Sequence, residues 1–271
     1  MHDAGAHAHA STVRSADGTK IAYQRIGHGP AVLLIDGALC YRKLGQSADL
    51  AELLAEHFTV YTYDRRGRGE SGDTAPYSIE REVDDIAAIV HEAGGAACAW
   101  GMSSGALLAL EAAKTIRGIT KVAIYEAPLI IDSSGPSTQE AWARIRNAIA
   151  TDRRGEAVKA FLQSVGVPSL VIAVMHLLPL WSKLKEIAHT LPYDGSIVEP
   201  HQKGTPPRRE QWAAITVPTL VTDGGKSPQW MRDGNRALAE VLPNARYETL
   251  AGQTHMLKAA AHVRVLTEFF E

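Results

Sequence analysis

This sequence has few cysteines, almost no net charge and no long apolar run. The two cysteines, Cys40 and Cys98, lie far apart in 271 residues, which argues against a disulfide framework and favours reduced thiols in a cytoplasmic protein. The formal net charge is −2, so the composition gives no electrostatic reason to expect a nucleic-acid or anionic-membrane partner. The longest apolar run, at 170–180, is interrupted by His176 and Pro179 and is too short to span a bilayer.

The first ten residues also lack the basic and apolar regions of a signal peptide. They are rich in alanine and histidine, which predicts a flexible tail over residues 1–10. His2, His7 and His9 could bind a metal, but no cluster of carboxylates or cysteines completes a site, so we expect no metal. With 45% hydrophobic and 21% charged residues, the chain has the composition of an ordinary globular enzyme.

Apolar patterning alternates between strand and helix periods along the first half of the chain. Residues 31–35 form the continuous apolar run of a strand buried on both faces. Similar runs occupy 58–63, 96–100 and 121–125, and residues 79–93 carry the apolar stripe of an amphipathic helix. This alternation predicts an α/β fold with a parallel sheet covered on both faces.

The alternation is interrupted by a long helical segment. From about 137 to 213 the pattern is helical, with prolines between the segments and no convincing strand, and strand patterning resumes near residue 219. We therefore predict a core over residues 11–130 and 214–271, with a helical cap over residues 131–213 inserted above one edge of the sheet.

The sequence Gly-Met-Ser-Ser-Gly at 101–105 carries the most specific chemistry. It follows an apolar strand and precedes the helix-forming run 106–113. A sharp strand-to-helix turn exposes a serine hydroxyl, and the small flanking residues permit that turn. The context predicts Ser103 as a nucleophile and the backbone N–H of Ser104 as an oxyanion donor. The alternative is a Gly/Ser turn without chemistry.

A serine nucleophile needs a base and an acid. His255 lies between the last predicted strand and the final helix, in the order nucleophile–acid–base, whereas His262 falls inside that helix and is expected to pack or face solvent. Two carboxylates remain open as the acid. Glu126 ends the strand that follows the serine helix, and Asp223 ends a later strand; we favour Glu126, because a buried carboxylate there requires a partner such as imidazole.

The second oxyanion donor is expected from the loop after residues 31–35. Gly37 permits close approach of the backbone to a substrate oxygen, and either its N–H or that of Ala38 would face Ser104. The sequence does not choose between the two.

Together these motifs resemble the α/β-hydrolase family, over nearly the whole chain outside the cap. The Gly-rich stretch 64–71 is similar to a structural turn of that family, whose usual acid position is held here by Ser227. Three features are similar to zearalenone-type lactonases: Asp-Gly at 36–37, Trp-Gly-Met-Ser-Ser-Gly at 100–105, and Glu-Ala-Pro at 126–128. The resemblance implies a mostly parallel central sheet with helices on both faces and an inserted helical cap.

The combined interpretation is hydrolysis of a small hydrophobic ester or lactone through an acyl-enzyme, without a cofactor. Apolar cap residues such as Leu170 and Trp181 would form either a hydrophobic lid or the core of the cap itself. Two alternatives keep the same residues: perhydrolysis or carbon–carbon bond hydrolysis, and a small-molecule sensor with little turnover. The oligomeric state is not indicated by the sequence.

Overall fold

One twisted sheet organises the molecule. The computed structural model describes residues 11–256 and 258–271, and the predicted tail over residues 1–10 lies outside them. Within the described residues the sheet has eight strands: β1 (Ser11–Arg14), β2 (Lys20–Gly27), β3 (Ala31–Ile35), β4 (Thr59–Tyr63), β5 (Ala97–Met102), β6 (Ile119–Tyr125), β7 (Thr219–Gly224) and β8 (Ala245–Leu250).

The strand order is β1-β2-β4-β3-β5-β6-β7-β8. β1 pairs antiparallel with β2, and β2 with β4, whereas every pairing from β4 to β8 is parallel. The predicted mostly parallel sheet is therefore confirmed. Because all parallel strands end at one edge, the loops after β3, β5, β6, β7 and β8 meet there.

Helices cover both faces of the sheet. The helices are α1 (Ala48–Leu54), α2 (Ile79–Glu92), α3 (Ser104–Thr115), α4 (Gln139–Ala150), α5 (Arg154–Ser164), α6 (Ser169–Met175), α7 (Pro179–Ile187), α8 (Leu191–Val198), α9 (Arg209–Trp212), α10 (Gln229–Val241) and α11 (Ala259–Phe270). α1 and α11 pack on one face, and α2, α3 and α10 on the other. Side chains of β3 alternate between the two cores, with Leu33 on the α3 side and Val32 and Leu34 on the α1 side.

All the helices from α4 to α9 lie between β6 and β7, and this segment (the insertion) contains no strand. Its core includes Trp142, Trp181 and Leu184, whereas Leu170 and Leu177 are exposed. Within this region the sequence pattern predicts helices that end near residue 190 and resume near residue 208, with Pro192 between them, and so does not predict α8. Pro192 lies in the first turn of α8, where the missing N–H costs no helical hydrogen bond.

The Gly-rich turn at 64–71 is anchored to α2 by buried ion pairs. Arg65 contacts Glu82 at 2.6 Å and Arg66 contacts Asp85 at 2.7 Å. These contacts agree with the structural role predicted for the turn.

Gly105 is expected to tolerate no larger residue. A Cβ there would lie 2.2 Å from the carbonyl oxygen of Ile35 and 2.6 Å from that of Asp36, and neither backbone can move away without disturbing β3. Gly105→Ala should lower the free energy of unfolding by about 3 kcal/mol, measured by urea titration with circular dichroism.

The matched control is Gly155→Ala in α5. The nearest neighbour of its Cβ would be Lys185 Cδ at 3.7 Å, so this substitution should be neutral or stabilise by up to about 1 kcal/mol. Equal effects of the two substitutions would contradict the close approach of α3 to β3.

Candidate active site

The turn from β5 into α3 holds Ser103 in an unusual conformation. Its backbone adopts φ 55° and ψ −127°, and its N–H donates to the carbonyl oxygen of Tyr125 at 3.0 Å. A Cβ on Gly101 would lie 2.2 Å from the carbonyl oxygen of Gly105, so glycine is required where strand and helix cross. The half-buried Ser103 side chain lines a cavity at the parallel-strand edge.

Backbone strain is concentrated around this cavity. Of the four non-glycine residues with positive φ in the described part of the chain, three lie here: Leu39, Ser103 and Glu126. Each such residue costs on the order of 1–3 kcal/mol and persists only where its surroundings enforce it. This clustering is typical of functional sites.

Glu126 and His255 are brought together by the ends of β6 and β8. His255 Nδ1 lies 2.7 Å from Glu126 Oε2, and the carboxylate is fully buried. Glu126 Oε1 accepts hydrogen bonds from the backbone N–H of Gly224 at 2.8 Å and from the Ser227 hydroxyl. Burial raises the pKa of Glu126, but the hydrogen bonds from His255, Ser227 and Gly224 and the His255 charge outweigh it, so the pKa lies below its ordinary value.

Asp223, the other acid considered, has different partners. It is also fully buried, and its Oδ2 accepts a hydrogen bond from the Tyr247 hydroxyl. Burial raises its pKa above the ordinary value. Within the described residues no hydrogen bond joins Asp223 to His255, so the imidazole is paired with Glu126.

Ser227 contributes to the site in a way that sequence reasoning missed. Its position was noted only as one where the family usually carries a carboxylate. The structure has its buried hydroxyl donating to Glu126 Oε1, so the residue at this position is a neutral donor to the buried carboxylate. The clue was available: a small hydroxyl residue at the usual acid position implies an acid elsewhere that it can contact.

His255 and Ser103 line the same cavity. No hydrogen bond links the His255 ring to Ser103 Oγ among the described residues, and such bonds often tighten only when substrate binds. His262, expected to pack or face solvent, is buried and meets the Tyr125 ring edge-on at 4.4 Å. The Tyr125 hydroxyl in turn donates to the carbonyl oxygen of Thr254 at 2.5 Å, which fixes the loop before His255.

The three predicted oxyanion residues lie beside Ser103. Ser104 is the first residue of α3, and Ala38 and Ser104 both line the cavity. A Cβ on Gly37 would lie 3.0 Å from Ser103 Cβ, so the loop after β3 passes directly over the serine. The Gly37 carbonyl oxygen accepts a hydrogen bond from Arg68 Nη1 at 2.7 Å.

Asp194, on α8, is a second residue that sequence reasoning missed. Its fully buried carboxylate accepts hydrogen bonds from Ser104 Oγ at 2.7 Å, Arg65 Nη1 at 2.8 Å and Arg68 Nη2 at 2.7 Å. Burial raises the pKa of Asp194, but the charges of Arg68 and Arg65 and the Ser104 hydrogen bond outweigh it, so the pKa lies below its ordinary value. A lone aspartate in a helix that the sequence did not predict carries no signal of this role.

The cavity has a volume of about 580 Å³, within the usual range for small-molecule sites. Part of its wall comes from the insertion, through residues such as Trp142, Phe161 and Val165. Among the described residues that line it, Asp194 and His255 are the titratable ones, and none is a lysine or arginine. The exposed apolar residues of α6, which the sequence suggested as a lid, do not line it.

The described residues contain neither a cluster of metal-binding side chains nor a membrane-spanning helix. No three histidine, cysteine or acidic side chains of residues 11–256 and 258–271 are grouped as metal ligands would be. The histidines at 2, 7 and 9 fall outside those ranges. None of the helices described there has the length and apolar character needed to cross a bilayer.

Comparison with protein families identifies the fold family. The model of the alpha/beta hydrolase family matches residues 18–267. The chain belongs to the alpha/beta hydrolase family.

Individual relatives of this alpha/beta hydrolase include enzymes that cleave esters. The crystal structure of an alpha/beta hydrolase from Sphaerobacter thermophilus is 47% identical, covers 96% of this chain and 100% of its own, and superposes with a TM-score of 0.87. A pimeloyl-[acyl-carrier protein] methyl ester esterase from Xanthomonas axonopodis pv. citri is 29% identical over 242 residues, which are 85% of this chain and 89% of the relative. The enol-lactonase of Burkholderia xenovorans shares the fold, with a TM-score of 0.71 at 22% identity over 96% of this chain and 99% of its own.

The charge of Glu126 should make stability depend on pH. Because its folded-state pKa is depressed, its contribution is present above the unfolded-state pKa and is lost as pH falls through the folded-state pKa. The difference in free energy of unfolding between wild type and Glu126→Gln should therefore shrink between about pH 6 and about pH 3, measured by urea titration at each pH. Glu210→Gln, at an exposed carboxylate outside the site, should show a constant difference; a constant difference for Glu126→Gln would contradict the assigned interaction.

Proposed function

We propose that this alpha/beta hydrolase cleaves carboxylic esters or lactones through an acyl-enzyme formed on Ser103. His255 acts as the general base and acid, and Glu126 is the acid that orients it. The observation that carries the proposal is the 2.7 Å contact between His255 Nδ1 and the buried Glu126 carboxylate, at the edge of a cavity that Ser103 also lines.

The reaction would begin with attack of Ser103 Oγ on the carbonyl carbon. Since Nδ1 of His255 is hydrogen-bonded to Glu126, Nε2 is the nitrogen that takes the serine proton and later delivers it to the leaving alkoxide. Glu126 keeps the imidazole in the required tautomer and stabilises the imidazolium. Water then attacks the acyl-enzyme by the same route, with His255 again as the base.

The proposed oxyanion donors are the backbone N–H groups of Ser104 and Ala38. Ser104 lies at the positive end of α3. The trans peptide between Gly37 and Ala38 directs its N–H opposite to its carbonyl. Because Arg68 binds the Gly37 carbonyl and Ala38 lines the cavity, Ala38 is favoured over Gly37.

The cavity favours uncharged, apolar substrates. It lacks a lysine or arginine among its described lining residues, so it offers no partner for a carboxylate on the acyl chain, whereas Trp142, Phe161, Val165 and Met231 provide apolar walls. The Xanthomonas relative acts on a methyl ester, and the motif resemblance to zearalenone-type lactonases supports a lactone. We propose residues 131–213 as the cap that completes this cavity.

Ser103→Ala is expected to reduce hydrolysis of p-nitrophenyl butyrate by on the order of 10³-fold or more, because the attacking oxygen is removed. A p-nitrophenyl phosphonate should label the wild type on Ser103, located by peptide mass spectrometry. Labelling elsewhere, or activity retained in Ser103→Ala, would contradict the proposal. Absence of turnover on a broad ester and lactone panel would favour the sensor alternative, and peracid formation or diketone cleavage without ester hydrolysis would favour the other chemistries.

The choice of acid predicts a ranking of two isosteric substitutions. Glu126→Gln should lower kcat by about 10²–10⁴-fold, since it removes the acceptor that orients His255. Asp223→Asn should lower kcat far less, because the Asp223 carboxylate is hydrogen-bonded to Tyr247 and not to His255. Both variants need a circular-dichroism melting curve as a folding control, and the reverse ranking would assign the acid to Asp223.

A further inference from the structure

Asp194 joins the insertion to both sides of the oxyanion site. Its Oδ1 accepts from the side chain of Ser104, the residue after the nucleophile, at 2.7 Å, and its Oδ2 accepts from Arg68 Nη2 at 2.7 Å. Arg68 Nη1 reaches the carbonyl oxygens of Gly37 at 2.7 Å and Cys40 at 3.3 Å. One carboxylate therefore contacts the start of α3 directly and the loop after β3 through the Arg68 guanidinium. Its other partner, Arg65, makes longer contacts of 3.4 Å to the Asp36 carbonyl oxygen and to Ser104 Oγ.

Arg68 donates hydrogen bonds both to the loop after β3 and to the insertion. Gly37 and Cys40 supply two acceptors from the loop after β3, while Thr190 and Asp194 supply two from the insertion, with Arg68 Nε at 3.1 Å from Thr190 Oγ1. The guanidinium is planar and its donors are fixed relative to one another. Fixing one edge of Arg68 against α8 therefore fixes the position of the Gly37 carbonyl on the other edge.

The Gly37 carbonyl determines where the next N–H points. In a planar trans peptide the two groups are antiparallel, so holding the carbonyl on Arg68 directs the Ala38 N–H to the opposite side. Ala38 lines the cavity there with Ser103 and Ser104. Without the Asp194 carboxylate, Arg68 and Ser104 would therefore lose an acceptor that they share.

We propose that Asp194 is a positioning residue that holds both backbone donors, those of Ser104 and Ala38, in place for the oxyanion. This inference rests on the proposed ester hydrolysis. Asp194 acts through its neighbours: its two oxygens are directed at Ser104, Arg65 and Arg68. Its negative charge would otherwise oppose a developing oxyanion, and it is balanced by Arg68 together with Arg65, which also pairs with Glu82.

The test compares Asp194→Asn with Asp85→Asn. Asp85 forms the same kind of buried pair, with Arg66 of the same turn, but the described contacts of Arg66 include no residue of the loop after β3 or of α3. With p-nitrophenyl butyrate, Asp194→Asn should lower kcat by about 10²-fold and change KM little, whereas Asp85→Asn should leave both near wild type. Equal kcat values for the two variants would overturn the inference.

Inhibitor binding separates positioning from general disruption of the cavity. Ser103 Oγ adds to the carbonyl carbon of an alkyl trifluoromethyl ketone, its proton passes to His255, and the carbonyl oxygen becomes an oxyanion between the two donors. The methyl ketone with the same alkyl chain occupies the cavity without reacting. Asp194→Asn should weaken the trifluoromethyl ketone by a factor close to its loss in kcat and leave the methyl ketone unchanged. Equal weakening of both ketones would reduce Asp194 to a structural role and overturn the inference.

Removing one partner of a buried ion pair is often strongly destabilising, so Asp194→Asn could fail to fold. In that case Ser104→Ala tests the same inference. This variant retains the Ser104 N–H and deletes only the hydroxyl that binds Asp194, so it should show the same pattern with a smaller loss in kcat; wild-type kcat and ketone affinities in Ser104→Ala would overturn the inference. Failure of the proposed function is recognised separately, because the wild type would then lack Ser103-dependent turnover.

Discussion

The edge of the sheet at which Ser103 lies depends on the close approach of backbone segments, which only glycine permits. Gly101 lies against the carbonyl oxygen of Gly105, and Gly105 lies against the carbonyl oxygens of Ile35 and Asp36. A Cβ atom on either glycine would overlap these oxygens. β5 can therefore turn directly into α3, with Ser103 held at a positive φ. That strain costs about 1–3 kcal/mol. The fully buried leucines of α3, each contributing about 1.5–3 kcal/mol, more than offset it, so packing of α3 enforces the turn that exposes the serine.

A fully buried carboxylate at the end of β6 constrains the positions around it. Glu126 can stay ionised only because its oxygens accept from Gly224, Ser227 and His255. A carboxylate at position 227 would contact Glu126 Oε1, and two carboxylates at that distance cannot both ionise. A chain with its acid on β6 therefore needs a neutral donor at 227, and serine fits that requirement. The nearby Asp223 meets the same difficulty differently, with its carboxylate bonded to Tyr247 and its pKa raised by burial.

Much of this arrangement follows from local sequence patterns, and the remainder does not for identifiable reasons. The parallel strands were predictable because β3 and β5 are continuous apolar runs. Chain order pointed to His255 as the partner of Ser103, and the position of Glu126 at a strand end favoured it over Asp223 as the carboxylate. α8 was missed since Pro192 signals a break equally well in a loop and in a first helical turn. The role of Asp194 was beyond sequence reasoning: its partner Ser104 is 90 residues away, and nothing local distinguishes a carboxylate that will be buried against two arginines from one that will face solvent.

The insertion combines two kinds of attachment to the core. α8 is held by buried, charge-paired contacts from Asp194 to Arg65 and Arg68, whereas α6 packs against α5 and exposes its Leu170 and Val174. The wall of the cavity is divided in the same way, with Asp194 at the serine end and Phe161 and Val165 at the α5 end. Ion pairs with fixed geometry are suited to the serine end of the cavity, because the proposed oxyanion donors there would lose their effect if displaced by about an ångström. Apolar contacts are suited to the α5 end, because they accept substrates of different shape at small energetic cost. The part of the insertion beside Ser104 is thus held by directional ion pairs, whereas the part that forms the far wall of the cavity presents apolar side chains.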